Sequence, residues 1–285
     1  MFTSTPLRRP VSILVVVIVT VLFAGAADKQ PADIVSLHLD SIAAPEIRAT
    51  AKSRVVEGTF KFRMLVGGGG QGAGTWGRVS SDRLSRFVLR FGRSDWKGEQ
   101  FVFDGSRADV AITMASHERS DFGLFVNDQN FLIKEGLLGG ELSTGWALQN
   151  LAANQAHIEN LGIKKVDGKQ LLALQYVSKA NQDMQVRIYL DPANYHHVLT
   201  VYSAHVEPHM SGNIITSSAQ KEVRYTIEER FGDFQTQDSV TLPRNYQLQF
   251  TEEAQDGATR IYSWDMVVKQ VHENVSLDAA NFAVK

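Results

Sequence analysis

Apolar and polar residues alternate with a period of two in segment after segment of this chain. Between residues 56 and 66 the even positions include Phe60, Phe62 and Met64, whereas Lys61 and Arg63 occupy odd positions. Successive side chains of a β-strand point to opposite faces, so such a segment buries one face and leaves the other in water. A chain built mainly from these segments is predicted to form an antiparallel sheet with one apolar face.

Comparable alternations recur along the chain and are separated by short turns. Asp104-Gly105 and Asp167-Gly168 are strong hairpin signals, because both residue types tolerate the positive φ of a tight turn. The glycine run 67–70, continuing to Gly72 and Gly74, is predicted to be a flexible hairpin loop. We therefore expect about ten or eleven strands joined as a meander.

Helical patterns interrupt the strands in two places. Apolar residues at loose helical spacing between residues 33 and 50 predict an amphipathic helix that Pro45 breaks. Residues 120–154 predict one or two short helices and loops, with Ser143-Thr144 as a helix N-cap. Helices grouped in this way within a strand series indicate the α+β class, with the helices covering one face of the sheet.

The N-terminus has the three parts of a secretion signal. Arg8-Arg9 precede the apolar run 11–23, and small residues follow up to Ala26. The run is shorter than the roughly 20 apolar residues that span a bilayer, which favours a cleaved signal peptide over residues 1–26 rather than an uncleaved anchor. The mature chain, residues 27–285, is predicted to be one periplasmic domain.

Composition narrows the range of partners. The chain has no cysteine, so neither a disulfide nor a thiol-linked lipid is expected, and the mature protein should not be membrane-anchored. The signal contains two arginines and no acidic residue, so its removal changes the formal net charge from −2 to −4. Because no basic stripe is present, nucleic acid is not expected as a partner.

The residues around each candidate catalytic or cofactor-binding motif do not fit the function of that motif. The glycines near residue 70 are followed by a strand pattern, not by the helix of a dinucleotide loop, and no cofactor is expected. Ser143 lacks the glycine two positions earlier that a nucleophile elbow uses. His205 and His209, with His196-His197 upstream, are interpreted as solvated surface residues rather than metal ligands. The acidic residues are expected on wet strand faces or in turns, and no catalytic residue is predicted.

Apolar strand positions form the candidate binding surface, because a regular register places them on one side of the sheet. The predicted lining consists of Phe60, Phe62, Met64, Phe87, Leu89, Phe91, Val110, Ile112 and Met114. Two interpretations remain open: an ordinary core filled by the protein's own helices, and a groove for an acyl chain. In the acyl-groove interpretation, apolar residues of the helical segment that begins at residue 120 form a movable lid. The predicted lid residues are Leu137, Leu138, Trp146, Leu148 and Leu151.

Several short motifs follow one another in a characteristic order. They are Arg54-Val55-Val56-Glu57-Gly58, Phe101-Val102-Phe103-Asp104-Gly105-Ser106-Arg107, Asp191-Pro192 before His197-Val198, Phe231-Gly232-Asp233-Phe234, and Leu242-Pro243 before Tyr246. In this order the chain resembles the LolA/LolB-like superfamily of bacterial envelope proteins over roughly residues 33–282. The resemblance implies an unclosed, strongly curved antiparallel half-barrel, whose hydrophobic concavity is covered by helices and holds acyl chains.

The leading functional hypothesis is a soluble periplasmic protein that shields the acyl chains of a lipid or lipoprotein in this concavity. The alternative is an envelope sensor or protein-interaction module of the RseB-like type, with an envelope protein as its partner. A more remote alternative is an exported hydrolase.

Overall fold

Twelve antiparallel strands in one sheet make up most of the computed structural model, which describes residues 29–92, 98–113, 119–206 and 222–283. The predicted signal peptide and Met114 lie outside the described residues. The strands are β1 (Ser53–Val66), β2 (Gln71–Ser81), β3 (Leu84–Phe91), β4 (Glu99–Phe103), β5 (Ala108–Ile112), β6 (His157–Val166), β7 (Lys169–Val177), β8 (Met184–Leu190), β9 (His197–Val206), β10 (Val223–Gln237), β11 (Val240–Ala254) and β12 (Thr259–Glu273).

The sheet has two edges that do not pair with each other. Its strand order is β5-β4-β3-β2-β1-β12-β11-β10-β9-β8-β7-β6, so β1 and β12 are the one neighbouring pair that is distant in sequence among the described strands. Their long ladder joins the two meanders, from Arg54 opposite Glu273 to Val66 opposite Ile261. The predicted α+β class with an unclosed antiparallel sheet is confirmed, with twelve strands instead of ten or eleven.

Ring contacts across several strands show how strongly the sheet bends. Trp76 on β2 and Tyr246 on β11 have ring centroids 6.0 Å apart, although three strand spacings of about 4.8 Å separate these strands along the sheet. Phe122 lies 5.3 Å from Phe101 on β4 and 5.6 Å from Phe250 on β11. Because four strands intervene between β4 and β11, only a strongly curved sheet allows one ring to contact both.

The helices are short and lie in two groups. They are α1 (Pro31–Ile42), α2 (Pro45–Thr50), α3 (Asp121–Asp128), α4 (Phe131–Lys134) and α5 (Leu151–Asn154), with 3₁₀ helices at Gly140–Leu142, Ala147–Gln149 and Ala279–Phe282. The predicted break at Pro45 is confirmed, since α1 ends at Ile42 and Pro45 begins α2. Apolar side chains of α1 and of the central helices pack in one core cluster with the concave face of the sheet.

The predicted N-cap at Ser143-Thr144 is wrong. Ser143 follows a 3₁₀ helix, and its Oγ accepts a hydrogen bond from the backbone N–H of Gly145 at 3.1 Å. The N-cap of the central segment is Ser120, whose Oγ accepts from the N–H of Gly123 at 2.9 Å. Short side-chain hydroxyls form both local motifs equally well, so residue type alone does not distinguish a cap from a turn.

Both predicted Asp-Gly turns are confirmed, but the predicted glycine loop is too long. Gly105 has φ +95°, and Asp167 and Gly168 have φ of +49° and +80°. The loop after β1 ends at residue 70, and Gly72 and Gly74 belong to β2. A Cβ on Gly74 would overlap the carbonyl oxygen of Arg90 and lie 2.8 Å from the ring of Phe60, so this glycine allows close packing within the sheet rather than flexibility of a loop.

Gly58 provides a test of this close packing. A Cβ there would overlap the carbonyl oxygen of Val267 and lie 2.5 Å from Trp76 Nε1, at a register shift between β1 and β12. We expect Gly58→Ala to lower the free energy of unfolding by about 2 kcal/mol or more, because backbone atoms must shift. Denaturant unfolding measures the change.

Gly77→Ala is the matched control. The nearest heavy atom to its added Cβ is Val56 O at 3.6 Å, an ordinary contact. We expect this variant to stay within about 0.5 kcal/mol of the wild type. Equal destabilisation by the two substitutions would contradict the packing described at Gly58.

Candidate ligand-binding concavity

Residues 120–156, here called the helical cover, lie against the concave face of the sheet. The cover connects the two free edge strands, β5 and β6, and contains α3, α4, α5 and two of the 3₁₀ helices. Phe122 of α3 contacts Trp264 on β12 at a centroid distance of 5.3 Å, in addition to Phe101 and Phe250. The concavity is therefore occupied by the protein's own side chains.

Predicted lining residues form two groups on the concave side. Five are buried beneath the cover or within the aromatic core: Phe60, Phe62, Phe87, Leu89 and Val110. Three are partly exposed at one end of the sheet, here called the open end: Met64, Phe91 and Ile112. Phe91 links the groups, because its ring lies 5.0 Å from that of Phe60 and 5.5 Å from that of Phe62.

Predicted lid residues all belong to the helical cover. Leu137, Leu138, Trp146 and Leu148 are buried, and Leu151 is partly buried against the same core. Beneath the cover remains a cavity of about 10 Å³, room for about one water molecule. An acyl chain would thus require displacement of the cover.

Glu229 is the central polar contact between sheet and cover. It is fully buried on β10, and its carboxylate accepts from the N–H of Gly139 in the cover at 2.7 Å and from the hydroxyl groups of Tyr202 and Tyr246. Burial raises the pKa of Glu229, and the hydrogen bonds from the two tyrosines oppose this rise. The hydroxyl oxygen of Tyr202 also lies 3.0 Å from the carbonyl oxygen of Leu137, so these residues hold the middle of the cover against the sheet.

A second buried group connects α1, the cover and β9. Trp146 Nε1 donates to His38 Nε2 at 3.0 Å, and His38 Nδ1 lies 3.0 Å from the carbonyl oxygen of Tyr195. These partners require a neutral His38 with its proton on Nδ1. Burial lowers the pKa of His38 to about 4, an effect increased by the nearby His197 and opposed by Glu141.

His197 corrects the interpretation of the histidines as solvated. Its ring is fully buried and stacks on Trp146, with Nδ1 2.7 Å from Glu141 Oε2 and Nε2 2.6 Å from Thr200 Oγ1. His196 is partly buried, and only His205 fits the expectation among the described residues, being exposed in an ion pair with Glu222. His209 lies outside the described residues. Arg54 on β1 donates to the backbone carbonyl oxygen of Glu141, so the residues around His197 are also connected to β1.

Two further carboxylates connect the cover to the sheet. Glu135 accepts from Tyr176 at 2.8 Å and from Ser178 at 2.7 Å, both on the β7 side. Glu99 on β4 accepts from the backbone N–H and hydroxyl of Ser120 at 2.6 and 2.7 Å. Burial raises the pKa of both carboxyl groups. The expectation that acidic residues lie on wet faces or in turns is therefore wrong for these residues and for Glu141 and Glu229.

A positional signal for these buried residues is present in the sequence. Glu229 lies between Ile227 and Phe231 in the two-residue alternation of β10, so it shares their buried face. His38 lies four positions from Ile34 and from Ile42 on the apolar stripe of α1. A polar residue whose position assigns it to the apolar face of a strand or helix is predicted to be buried and hydrogen-bonded. The partners of such a residue are distant in sequence, so the pattern does not identify them.

Within the described ranges, no helix is long and apolar enough to cross a bilayer, and no cluster of three or more His, Asp or Glu side chains is arranged to hold a metal ion.

No protein-family profile and no curated protein match the chain. Among solved structures, it is similar to a LolA superfamily protein from Nitrosomonas europaea, with 12% identity, a TM-score of 0.48, and 90% of this chain and 98% of that chain covered. The Pseudomonas aeruginosa MucA/MucB complex matches with 12% identity and a TM-score of 0.24, covering 86% of this chain and 100% of that chain.

One matched structure thus comes from the superfamily that the sequence motifs resemble. Because these TM-scores lie below 0.5, the matches decide neither family membership nor function, which must be inferred from this chain's own residues.

The neutral His38 makes stability depend on pH. Its folded-state pKa of about 4 lies below the unfolded value of 6.5, so the unfolded chain binds more protons between these values. We expect the wild type to lose up to about 3 kcal/mol more than His38→Gln between pH 7 and pH 4. Chemical unfolding at several pH values measures this difference.

His205→Gln controls for removal of an exposed histidine, and its pH profile should follow the wild type. Identical profiles for the wild type and His38→Gln would show that His38 is not held neutral by the fold.

Proposed function

We propose that this protein is an exported periplasmic carrier that binds the acyl chains of a lipid or lipoprotein on the concave face of its sheet. The supporting observation is an aromatic sheet face covered by a separate segment instead of by strand pairing. When the helical cover moves away, the apolar side chains that now contact it become available to the ligand. Residues 27–285 would act as one domain. The predicted lining residues would contact the ligand in place of the predicted lid residues.

Position and length of the helices support a movable cover. The segment runs between the free edges β5 and β6, so its displacement breaks no ladder of the sheet. Its α-helices have four to eight residues, fewer than the roughly 12–15 that an isolated helix needs for marginal stability. The structure of the cover therefore depends on its contacts with the concave face.

The gain from ligand burial limits how many apolar side chains of the cover can become exposed. Burial of a 16-carbon chain could gain on the order of 10 kcal/mol, at about 0.8 kcal/mol per methylene. Exposure of a buried side chain such as Phe122, Trp146 or Leu148 would cost about 1.5–3 kcal/mol. The gain therefore offsets the exposure of roughly three to six such side chains, so a displaced cover must keep its other apolar residues in contact with the ligand or the sheet.

The open end of the sheet provides an entrance. Met64, Phe91 and Ile112 are partly exposed there. Leu124 in α3 has 47% of its surface exposed. Apolar side chains exposed next to a concavity are typical of ligand or membrane contact.

The free edges support the alternative function of a protein-interaction module. β5 and β6 each have one neighbour in the sheet, so their outer backbone groups can pair with a strand of an envelope protein. A stoichiometric protein partner, retained by delipidated protein in a pull-down from an envelope extract, would favour this function over acyl binding.

Burial argues against the hydrolase alternative. Thr200, His197 and Glu141 have the spacing of a nucleophile, base and acid. All three are buried, and Trp146 of the cover stacks on His197, so a substrate cannot approach the hydroxyl group while the cover is closed. Their contacts fix the cover and do not form an accessible site.

The direct test is organic extraction of gently purified protein followed by mass spectrometry, together with titration of a fluorescent fatty acid. Co-purified acyl species and saturable uptake are expected. Absence of both would contradict the proposed function.

Phe91→Glu tests the position of the binding surface. A charge at this partly exposed site should weaken fatty-acid binding by about tenfold or more, because the acyl chain would have to desolvate the carboxylate. Titration of the fluorescent fatty acid measures the affinity, and circular dichroism verifies the fold.

Val267→Glu is the matched control, since Val267 is 38% exposed beside the exposed Thr59, on the convex face. Its affinity should equal that of the wild type. Equal weakening by both variants would place the ligand elsewhere.

A further inference from the structure

We propose that Arg78 binds the anionic head group of the ligand, so that the cargo is an acidic amphiphile, such as a fatty acid, inserted with its carboxylate deep in the concavity. This inference rests on the proposed function and specifies its ligand class. Four features of the described residues support it. They are the position of Arg78, the missing hydrogen bond of its Nε, the hydrogen bonds that Glu229 makes to other groups, and the mixed polar and apolar surroundings of Arg78.

Arg78 lies in the middle of the concave face. It is on β2 opposite Phe87 of β3, and only 3% of its surface is exposed. Its guanidinium carbon lies 5.0 Å from the centroid of the Phe87 ring. An added Cβ on Gly139 would lie 2.5 Å from Arg78 Nη2, so the guanidinium lies directly beneath the backbone of the cover.

The guanidinium of Arg78 is incompletely satisfied. Its Nε is buried and has no hydrogen-bond acceptor. An arginine guanidinium carries five N–H donors and stays protonated in proteins, so a missing acceptor in a buried site is costly. An orphan donor calls for an explanation. Among the described residues, Arg244 Nε and the Nε1 atoms of Trp76 and Trp264 also lack an acceptor, but only Arg78 belongs to the lining of the small cavity beneath the cover.

Glu229, the carboxylate whose charge interacts with Arg78, already has other hydrogen-bond donors. Glu229 accepts from Gly139, Tyr202 and Tyr246. The charge of Arg78 contributes less to the pKa of Glu229 than these hydrogen bonds do, while burial raises that pKa. Glu229 therefore holds the cover, and Arg78 retains capacity for a second anion.

The surroundings of Arg78 fit the polar end of an amphiphile. The small cavity beneath the cover is lined by Arg78 and Ser85 together with Phe87, Phe101 and Leu132. Displacement of α4 would remove Leu132 and enlarge this space. A carboxylate placed there would accept charge-assisted hydrogen bonds from Arg78 in a water-poor site, where such bonds are strong.

An apolar track runs from Arg78 to the open end. On β2 the concave positions between Arg78 and the open end are Trp76, Gly74 and Gly72. The strand from Arg78 to Gly72 is roughly 20 Å long at 3.4 Å per residue. The rings of Phe60 and Phe91 lie over Gly74 and Gly72. A head group at Arg78 would thus place the tail along these aromatic rings.

The experiment is competition against the neutral fluorescent probe N-phenyl-1-naphthylamine by palmitate and by hexadecanol, which differ in the acidic group. Palmitate should displace the probe from the wild type at a concentration at least about tenfold lower. Arg78→Met should abolish the preference, and Arg78→Lys should restore part of it. Arg63→Met, which removes an exposed arginine paired with Asp265, should leave it unchanged.

The outcomes separate the two proposals. Equal displacement by palmitate and hexadecanol would overturn the role of Arg78 and leave acyl binding supported. Dodecyl phosphate in a third competition shows whether phosphate replaces carboxylate. Its success with failure of the other two compounds would overturn the fatty-acid assignment and leave binding of an acidic amphiphile, and thus the proposed function, supported. Failure of all three compounds to displace the probe would contradict the proposed function itself.

A measurement on the wild type keeps the inference testable if Arg78→Met does not fold. The carboxyl carbon of bound [1-¹³C]palmitate should show a dipolar coupling to the guanidinium nitrogens of ¹⁵N-arginine-labelled protein, because the inference places the two groups within hydrogen-bond distance. Absence of such a coupling in protein loaded with palmitate would overturn the inference.

Discussion

Burial of one apolar face of a bent sheet is the constraint on which the rest of the structure depends. The strands alternate between wet and apolar positions, and the curvature brings rings from β2 and β11 into contact. Because β5 and β6 do not pair, the sheet cannot close on itself and cover its own interior. The segment between these edges supplies the missing cover. The same topology that completes the core thus makes part of it separable from the sheet.

Buried carboxylates and a neutral histidine determine how the cover is held against the sheet. Glu99, Glu135, Glu141 and Glu229 each join the cover to the sheet through hydrogen bonds. A buried acceptor without its donor is unfavourable, so displacement of the cover must expose these groups to water or offer them new partners. This requirement favours one closed arrangement over many loosely packed ones. Arg78 differs from them in charge, and its Nε lacks an acceptor even in the closed arrangement.

The sequence was sufficient to predict local features and insufficient for contacts between distant segments. Period-two alternation predicted the strand around Phe60 and Phe62, and Asp-Gly pairs predicted two turns, because these depend on neighbouring residues. The β1–β12 ladder was not predicted, since its strands are about 200 residues apart. Burial of His197 and Glu229 followed the alternation pattern, but their partners Glu141, Tyr202 and Tyr246 became apparent only when the fold brought them together.

The central claim is that residues 120–156 leave the sheet to admit a ligand, and hydrogen–deuterium exchange with and without palmitate tests it most directly. Local opening should make backbone amides of Leu137, Leu142 and Trp146 exchange faster than those of β10–β12 in the free protein. Palmitate should change exchange in the cover while the strands stay protected. Exchange in the cover as slow as in the central strands, and unaffected by palmitate, would contradict the account.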